Sequence, residues 1–272
     1  MPPSEVSRNS LQGLLTVCSS EANRWFESME PWRPPGPRRF YPGRTLRTLH
    51  LVGLSQFQAG IVLLRRPVLA YTADIHVRAM IELFAHAAWI NGEGGLTAPM
   101  TPRRRALCVE LGMARALVDE LDFLSSTLKI GFPIGYVAGA EWLARYFARL
   151  HAGHACSCGG RGRRYRDVRR TLSALDEVQT DERLANATLL YGMWSSFSRS
   201  GHHPRLELLA ADAPGGAMLK LATSRERAIT LFNLLLVQGY LAVFAAAPFP
   251  AAQRGIALSA YQLQMDAKRH TG

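Results

Sequence analysis

The sequence predicts an all-α fold, a multi-helix bundle with long antiparallel core helices and an inserted basic loop. Three observations carry that prediction. Apolar residues recur at three- and four-residue spacing over long stretches, the period of an amphipathic helix. No alternating apolar–polar run reaches a convincing strand length, and no internal repeat is visible. Proline- and glycine-rich breaks near residues 30–44, 92–95, 129–133, 151–164 and 199–216 cut the chain into helix-sized pieces. With 48% hydrophobic residues among 272, the chain can bury a sizeable core. The expected organisation is an N-terminal helix and Pro-rich strap over 1–44, then a helical bundle over 45–272 with an insertion near 151–164.

Residues 5–29 have helical periodicity through Leu11, Leu14, Leu15, Cys18, Ala22, Trp25 and Met29. The segment 30–44 (EPWRPPGPRRFYPGR) breaks helix repeatedly, and Trp32, Phe40 and Tyr41 predict that it lies against the body. A second helix is predicted over 45–65, closing on Arg65 and Arg66, which complement a C-terminal dipole. Pro67 is read as the start of a third helix running to about Asn91, so that the two form an αα-hairpin. Thr101 and Pro102 open a fourth helix to about residue 127. A fifth is expected over 139–151, with Trp142, Leu143, Tyr146, Phe147 and Leu150 as its apolar residues. A sixth (about 165–178) and a seventh (about 181–198) follow, then two short strands or coil at 206–211 and 217–222. Ser224 is expected to cap a long apolar helix to about Ala247, and a weaker helix covers 250–268. The stretch from Ala228 to Phe249 has no charged residue and is long enough to span a bilayer, but Asn233, Gln238 and Tyr240 interrupt it. It is therefore read as a core helix, with membrane contact as the lesser alternative.

The third helix organises the rest. Asp74, Arg78, Glu82 and His86 follow at steps of four, one stripe along an otherwise apolar rod. Such a helix belongs inside a protein, so the stripe is expected to be buried or to line a cleft, where its charges need partners. Arg78 as an ion-pair rung between Asp74 and Glu82 is the structural reading. Arg78 holding a phosphate or carboxylate, with Glu82 or His86 moving a proton, is the functional one. A second concentration is Tyr191–Pro204 (YGMWSSFSRSGHHP), where four serines, Arg199, His202 and His203 gather at a predicted helix end.

These two stretches resemble a bacterial all-helical family of unknown function that shares an R-x-x-x-E motif, here Arg78 and Glu82, and a Y-x-x-x-S…H motif, here Tyr191, Ser195 and His202 or His203. That family is itself distantly similar to the higher-eukaryote and prokaryote nucleotide-binding (HEPN) helical domains. The resemblance covers roughly residues 45–245 and implies a metal-independent ribonuclease, in which an arginine orients phosphate and a histidine serves as acid or base. Arg78, Glu82, Arg199, His202 and His203 are the catalytic candidates it implies. Arg199 and His203 have three residues between them, closer than is usual in HEPN nucleases.

The net charge of +11 comes mostly from arginine, with very few lysines. Such usage follows from a GC-rich bacterial genome or from a basic surface that meets nucleic acid or anionic lipid. The clustered cations are Arg103, Arg104 and Arg105, and the run Arg161, Arg163, Arg164, Arg166, Arg169 and Arg170 with Tyr165 inside it. They are the candidate nucleic-acid contacts: arginines neutralise phosphates and a tyrosine stacks on a base. The H-x-x-H-x-C-x-C run of His151, His154, Cys156 and Cys158 carries zinc-type donors. Structural zinc sites pair ligands from two segments, however, so an exposed loop without metal is the expectation. No P-loop, dinucleotide fingerprint, nucleophile elbow, zinc-protease motif or di-iron signature occurs, and no cofactor is expected. The four cysteines do not form a disulfide framework and no secretory signal is seen, so the expected compartment is the cytoplasm. The expected partners are RNA or a nucleotide, a protein such as an antitoxin, or a second copy of the chain. A non-catalytic interaction protein with a stabilising Arg–Glu–His cluster is the alternative function.

Overall fold

A computed structural model describes residues 11–33, 41–67, 70–92, 100–127, 129, 131–152, 162, 165–177, 192, 223–246, 249–252, 254–255 and 261–262. All regular structure among them is helical. The elements are α1 (Leu11–Met29), α2 (Tyr41–Leu64), a 3-10 turn (Ala70–Thr72), α3 (Ala73–Asn91), α4 (Pro102–Ser126), α5 (Ile134–His151), α6 (Tyr165–Glu177) and α7 (Ser224–Phe244). The all-α expectation holds, and α4 and α6 begin where the sequence placed them. The predicted seventh helix and the two short strands lie outside the described residues, apart from Gly192, which is helical. In the predicted tail helix, residues 251–252, 254–255 and 261–262 are helical.

Three boundaries differ from expectation, each for a local reason. Helix α2 starts at Tyr41 rather than 45, because Pro42 falls in the first turn, where a missing N–H costs nothing and a fixed φ favours helix. Pro67 does not start α3. The chain reverses through a turn and the 3-10 segment first, and α3 begins at Ala73 with Asp74 in its positive first turn. Helix α5 begins at Ile134, five residues early; Gly135 and Gly139 lie inside it, each a cost of about 1 kcal/mol that packing on α4 absorbs. The cap of α7 is Thr223 rather than Ser224, which is the first helical residue. Its Oγ1 accepts the Glu226 N–H at 3.2 Å while Glu226 Oε2 accepts the Thr223 N–H at 2.8 Å, a reciprocal capping box.

Helices α2 and α3 form the predicted antiparallel hairpin, with Gln56 Oε1 facing His76 Nδ1 at 2.6 Å. Helix α7 packs on both and runs parallel to α3. Thr230 Oγ1 donates to Asp74 Oδ1 at one end (3.2 Å), and Asn91 Nδ2 donates to the Phe244 carbonyl at the other (2.7 Å). Helix α1 lies on α2, where Gln58 Nε2 donates to the Ser19 carbonyl and to Asn23 Oδ1, both at 2.8 Å. Helix α4 joins through Thr45 Oγ1 and Glu110 Oε1 (2.9 Å), α5 packs chiefly on α4, and α6 packs on α3. The start of the strap does lie against the body, since Trp32 packs on Phe249 with ring centroids 4.5 Å apart. Phe40 lies outside the described residues.

Helix α3 is the centre, with Val77, Met80, Ile81, Phe84, Ala85, Ala88 and Ile90 fully buried. Helix α7 is the one described helix long and apolar enough to cross a membrane, and its Leu231, Leu234, Leu235, Val237 and Leu241 are buried in this core. The close fit of α7 on α2 depends on Gly53 and Gly60. A Cβ at Gly53 would meet Leu241 Cδ1 at 2.7 Å, and one at Gly60 would meet Leu234 Cδ1 at 2.8 Å. These glycines are two helical turns apart on one face, so the contact is a seam. Gly60→Val is expected to destabilise the fold by about 1–3 kcal/mol, because the added atoms have no free volume. The urea midpoint of the variant against the wild type measures this. An unchanged midpoint would mean that α7 does not sit on that seam.

Candidate nucleic-acid interface

The polar stripe of α3 is half-buried rather than buried. Arg78 Nε bonds Glu82 Oε1 at 3.1 Å, with side-chain exposures of 21% and 31%. Asp74 is tied to α7 through Thr230, and His86 is partly buried. The ion pair is therefore screened by water and contributes a few tenths of a kcal/mol. Ile75, on the first turn of the same helix, is exposed as well. The catalytic candidates of the second stretch, Arg199, His202 and His203, lie outside the described residues, as do Tyr191 and Ser195.

Exposed cations lie on or next to elements that pack against α3. Helix α6 packs on α3 by burying Val168, Thr171 and Leu172, which leaves Arg169 and Arg170 exposed. At the hairpin turn Arg65, Arg66 and Arg225 are exposed, while Arg227 Nη1 donates to the Leu64 carbonyl at 3.2 Å. Of the predicted basic contacts, Arg161, Arg163 and Arg164 lie outside the described residues, and for Tyr165 and Arg166 only the helical backbone is described.

At the start of α4, Arg103 is exposed, Arg104 is partly buried and Arg105 is turned inward, 9% exposed. Its guanidinium lies against Gly92, the C-cap of α3, which places a cation at the negative end of that helix. Burial lowers the Arg105 pKa from its ordinary value. The triple-arginine run thus splits, with one member inside the fold.

Helix α5 exposes two of the apolar residues by which the sequence predicts it. Trp142 is 57% exposed and stacks on the exposed Tyr146, centroids 5.2 Å apart and planes within 10°. Arg145 and Arg149 are exposed on the same face, since positions 142, 145, 146 and 149 fall at i, i+3, i+4 and i+7. Glu141 Oε2 pairs with Arg145 Nη1 at 3.1 Å. Beside this face runs an open groove of about 420 Å³ between α4 and α5, lined by Arg115, Val118, Asp119, Ala144, Arg145 and Ala148. The apolar side of α5 that does pack on α4 is Ala140, Phe147 and His151. The surface of α5 was missed because Trp142 and Tyr146 lie one residue from Leu143 and Phe147, and periodicity alone does not say which of two adjacent stripes turns inward.

His151, a metal-ligand candidate, is also buried, its Nε2 3.0 Å from the Sγ of buried Cys108 on α4. His154, Cys156 and Cys158 lie outside the described residues, and among the described residues no three metal-binding side chains converge. No family model, curated protein or solved structure matches the chain.

Proposed function

We propose that this protein binds single-stranded nucleic acid, RNA being the partner that the family resemblance implies, and that α5 is the contact surface. The observation that carries the reading is the exposed face of Trp142, Arg145, Tyr146 and Arg149 beside the Arg115 groove. Single strands are held by aromatic rings on which bases stack and by cations that track the backbone, and this face interleaves the two. The overall charge of +11 would draw a polyanion toward it. Arg169 and Arg170 are further exposed cations, on α6. The reading commits to binding. Cleavage would fall to Arg199 with His202 or His203, aided by Arg78 and Glu82.

Fluorescence anisotropy with a labelled oligouridine tests it. Trp142→Ala is expected to weaken binding by about 5- to 150-fold, the equivalent of the 1–3 kcal/mol typical of one stacked base. Arg145→Ala and Arg149→Ala are each expected to lower the slope of log affinity against log salt by about one. Absence of salt-sensitive binding by the wild type would overturn the reading.

A second reading has its own observation. The first half of α5 exposes Ile134 (88%) and Tyr136, and the end of α4 exposes Phe123 beside the exposed Asp119, Glu120 and Asp122. An apolar tip of this kind suits a protein partner. It predicts that Ile134→Glu changes association state while oligouridine affinity stays as it was.

A further inference from the structure

The buried contact between Cys108 Sγ and His151 Nε2, 3.0 Å long, sets the register of α4 against α5. Seven positions further along α4 and seven back along α5, that register puts Arg115 opposite Ala144, nearly two turns toward the tip of the hairpin. The short side chains of Ala144 and Ala148 leave a groove of about 420 Å³ open there. Its size falls in the range of about 300–1,000 Å³ that small-molecule sites occupy. Val118 and the two alanines give it an apolar lining, and Arg115, Asp119 and Arg145 supply its charges. Arg145 also belongs to the exposed face of Trp142, Tyr146 and Arg149, so groove and face share an edge.

Asp119 is the residue that strand binding by a basic face does not explain. A carboxylate on a surface that meets phosphates repels them. Two arginine partners lie near it, Arg115 four residues earlier on α4 and Arg145 in the same groove. It takes neither. Arg145 pairs with Glu141 at 3.1 Å. Among the described residues, neither Arg115 nor Asp119 has an ion pair or a side-chain hydrogen bond. Glu120 and Asp122, exposed on the same helix, do not line the groove. The groove thus presents an uncommitted acceptor and an uncommitted donor one helical turn apart, beside an apolar lining.

We propose that this groove is a guanine pocket, which reads one base of the strand that the α5 face holds; the inference rests on that reading. Guanine alone among the RNA bases offers two neighbouring N–H donors, N1 and N2, on its Watson–Crick edge, and a carboxylate accepts from both. Each of the other three bases sets an acceptor beside its one donor atom, and a carboxylate repels that acceptor. Guanine O6 and N7 are the adjacent acceptors that an arginine takes bidentately. Asp119 and Arg115 bring these two complementary groups to adjoining edges of a single flat ring, and Val118, Ala144 and Ala148 meet its apolar faces. Arg145, on the shared edge, is placed for the phosphate that joins this nucleotide to those stacked on Trp142 and Tyr146.

Fluorescence anisotropy of the full-length chain with three labelled strands tests the proposal. They are oligouridine, the same strand with one central guanosine, and the same strand with inosine at that position. Inosine keeps N1–H, O6 and N7 but lacks the N2 amino group. One guanosine should tighten wild-type binding by about 5- to 10-fold, the low end for a bidentate base contact, since the groove is open to water. Inosine should lose most of that gain. Asp119→Asn, with one amide oxygen to accept, should bind the guanosine and inosine strands alike, a cycle that isolates the contact of Asp119 with N2. Its affinity for oligouridine should be equal to that of the wild type or higher, because a negative charge is gone. A carboxylate that only repels would raise affinity for all three strands by one factor, and that result overturns the proposal. So does equal wild-type affinity for the uridine and guanosine strands, which leaves the strand reading standing where oligouridine binding is salt-sensitive. If no strand binds, the strand reading fails and calorimetry with 5′-GMP and 5′-AMP decides the groove. Selective binding of GMP that is lost in Asp119→Asn supports the pocket, and equal or absent binding of the two nucleotides overturns it.

Discussion

Phe84→Ala is expected to cost about 3–5 kcal/mol, the range for truncating a fully buried phenylalanine. Phe84 has no exposed surface and sits where α3 meets α7, its ring 5.1 Å from that of Tyr240 and 5.3 Å from that of Phe244. Three terms add at this position. Transfer of the ring from water is lost. The cavity between α3 and α7 cannot collapse, because Asn91 to the Phe244 carbonyl and Thr230 to Asp74 hold the two helices at both ends. Two tilted or edge-on aromatic contacts, each worth about 0.5–1.5 kcal/mol, vanish as well. A typical domain has a stability of about 5–15 kcal/mol, so the variant should be marginal at 37 °C. Equilibrium urea denaturation followed by circular dichroism measures the difference. Trp142→Ala on α5 is the control of similar chemistry and opposite environment, and its midpoint should move little. Equal losses at the two positions would contradict the burial that separates them.

That contrast also marks how far the sequence could be read. Helical periodicity found the end of α3 and the start of α4 because each meets a clean stop: Gly92 after α3, and Thr101 with Pro102 before α4. The Thr101 cap is as expected, its Oγ1 accepting the Arg104 N–H at 3.4 Å. It misjudged the elements in which a breaker serves another purpose. Pro42 begins a helix, and Pro67 belongs to the reversal before one. Gly53 and Gly60 register in sequence only as weak helix formers, whereas in the fold they are the surface on which Leu241 and Leu234 rest. Which side of α5 faces outward depends on where α4 lies, and α4 is not part of the local pattern. Likewise Cys108 and His151 have no spacing relation for a motif to capture. Their proximity follows from the antiparallel register of α4 and α5. The stripe from Asp74 to His86 was legible as a stripe, but its depth was not. Its exposure is set by how far α6 and α7 close over α3.

Acid should destabilise the fold through His50. This residue lies on α2 beside the apolar cluster of Trp25, Met29, Leu54, Ala242, Ala246 and Phe249, its ring between Trp25 (5.2 Å) and Phe249 (5.4 Å). Neither ring nitrogen has a hydrogen-bond partner of full geometry. The backbone at Leu241 favours the cation slightly, but complete burial outweighs it, and the pKa falls from 6.5 to about 4. The sign follows from which state takes the proton first. The unfolded chain binds it near pH 6.5, while the folded chain resists until about pH 4. Stability is therefore complete above pH 6.5, declines as the pH falls through that window, and levels off once both states are charged. The shift corresponds to about 3 kcal/mol. His76, partly buried and bonded to Gln56, has its pKa lowered by burial too and adds in the same direction. Other groups titrate in the same range, so the measurement is a difference. His50→Leu keeps an apolar side chain of comparable size among Trp25, Leu54 and Phe249, and removes the titrating ring. Urea stability measured at pH 7 and at pH 4.5 should fall by about 2–3 kcal/mol more in the wild type than in the variant. Equal losses would mean that His50 is solvated in the folded protein, and that the packing of α1 and Phe249 against α2 is looser than the structure has it.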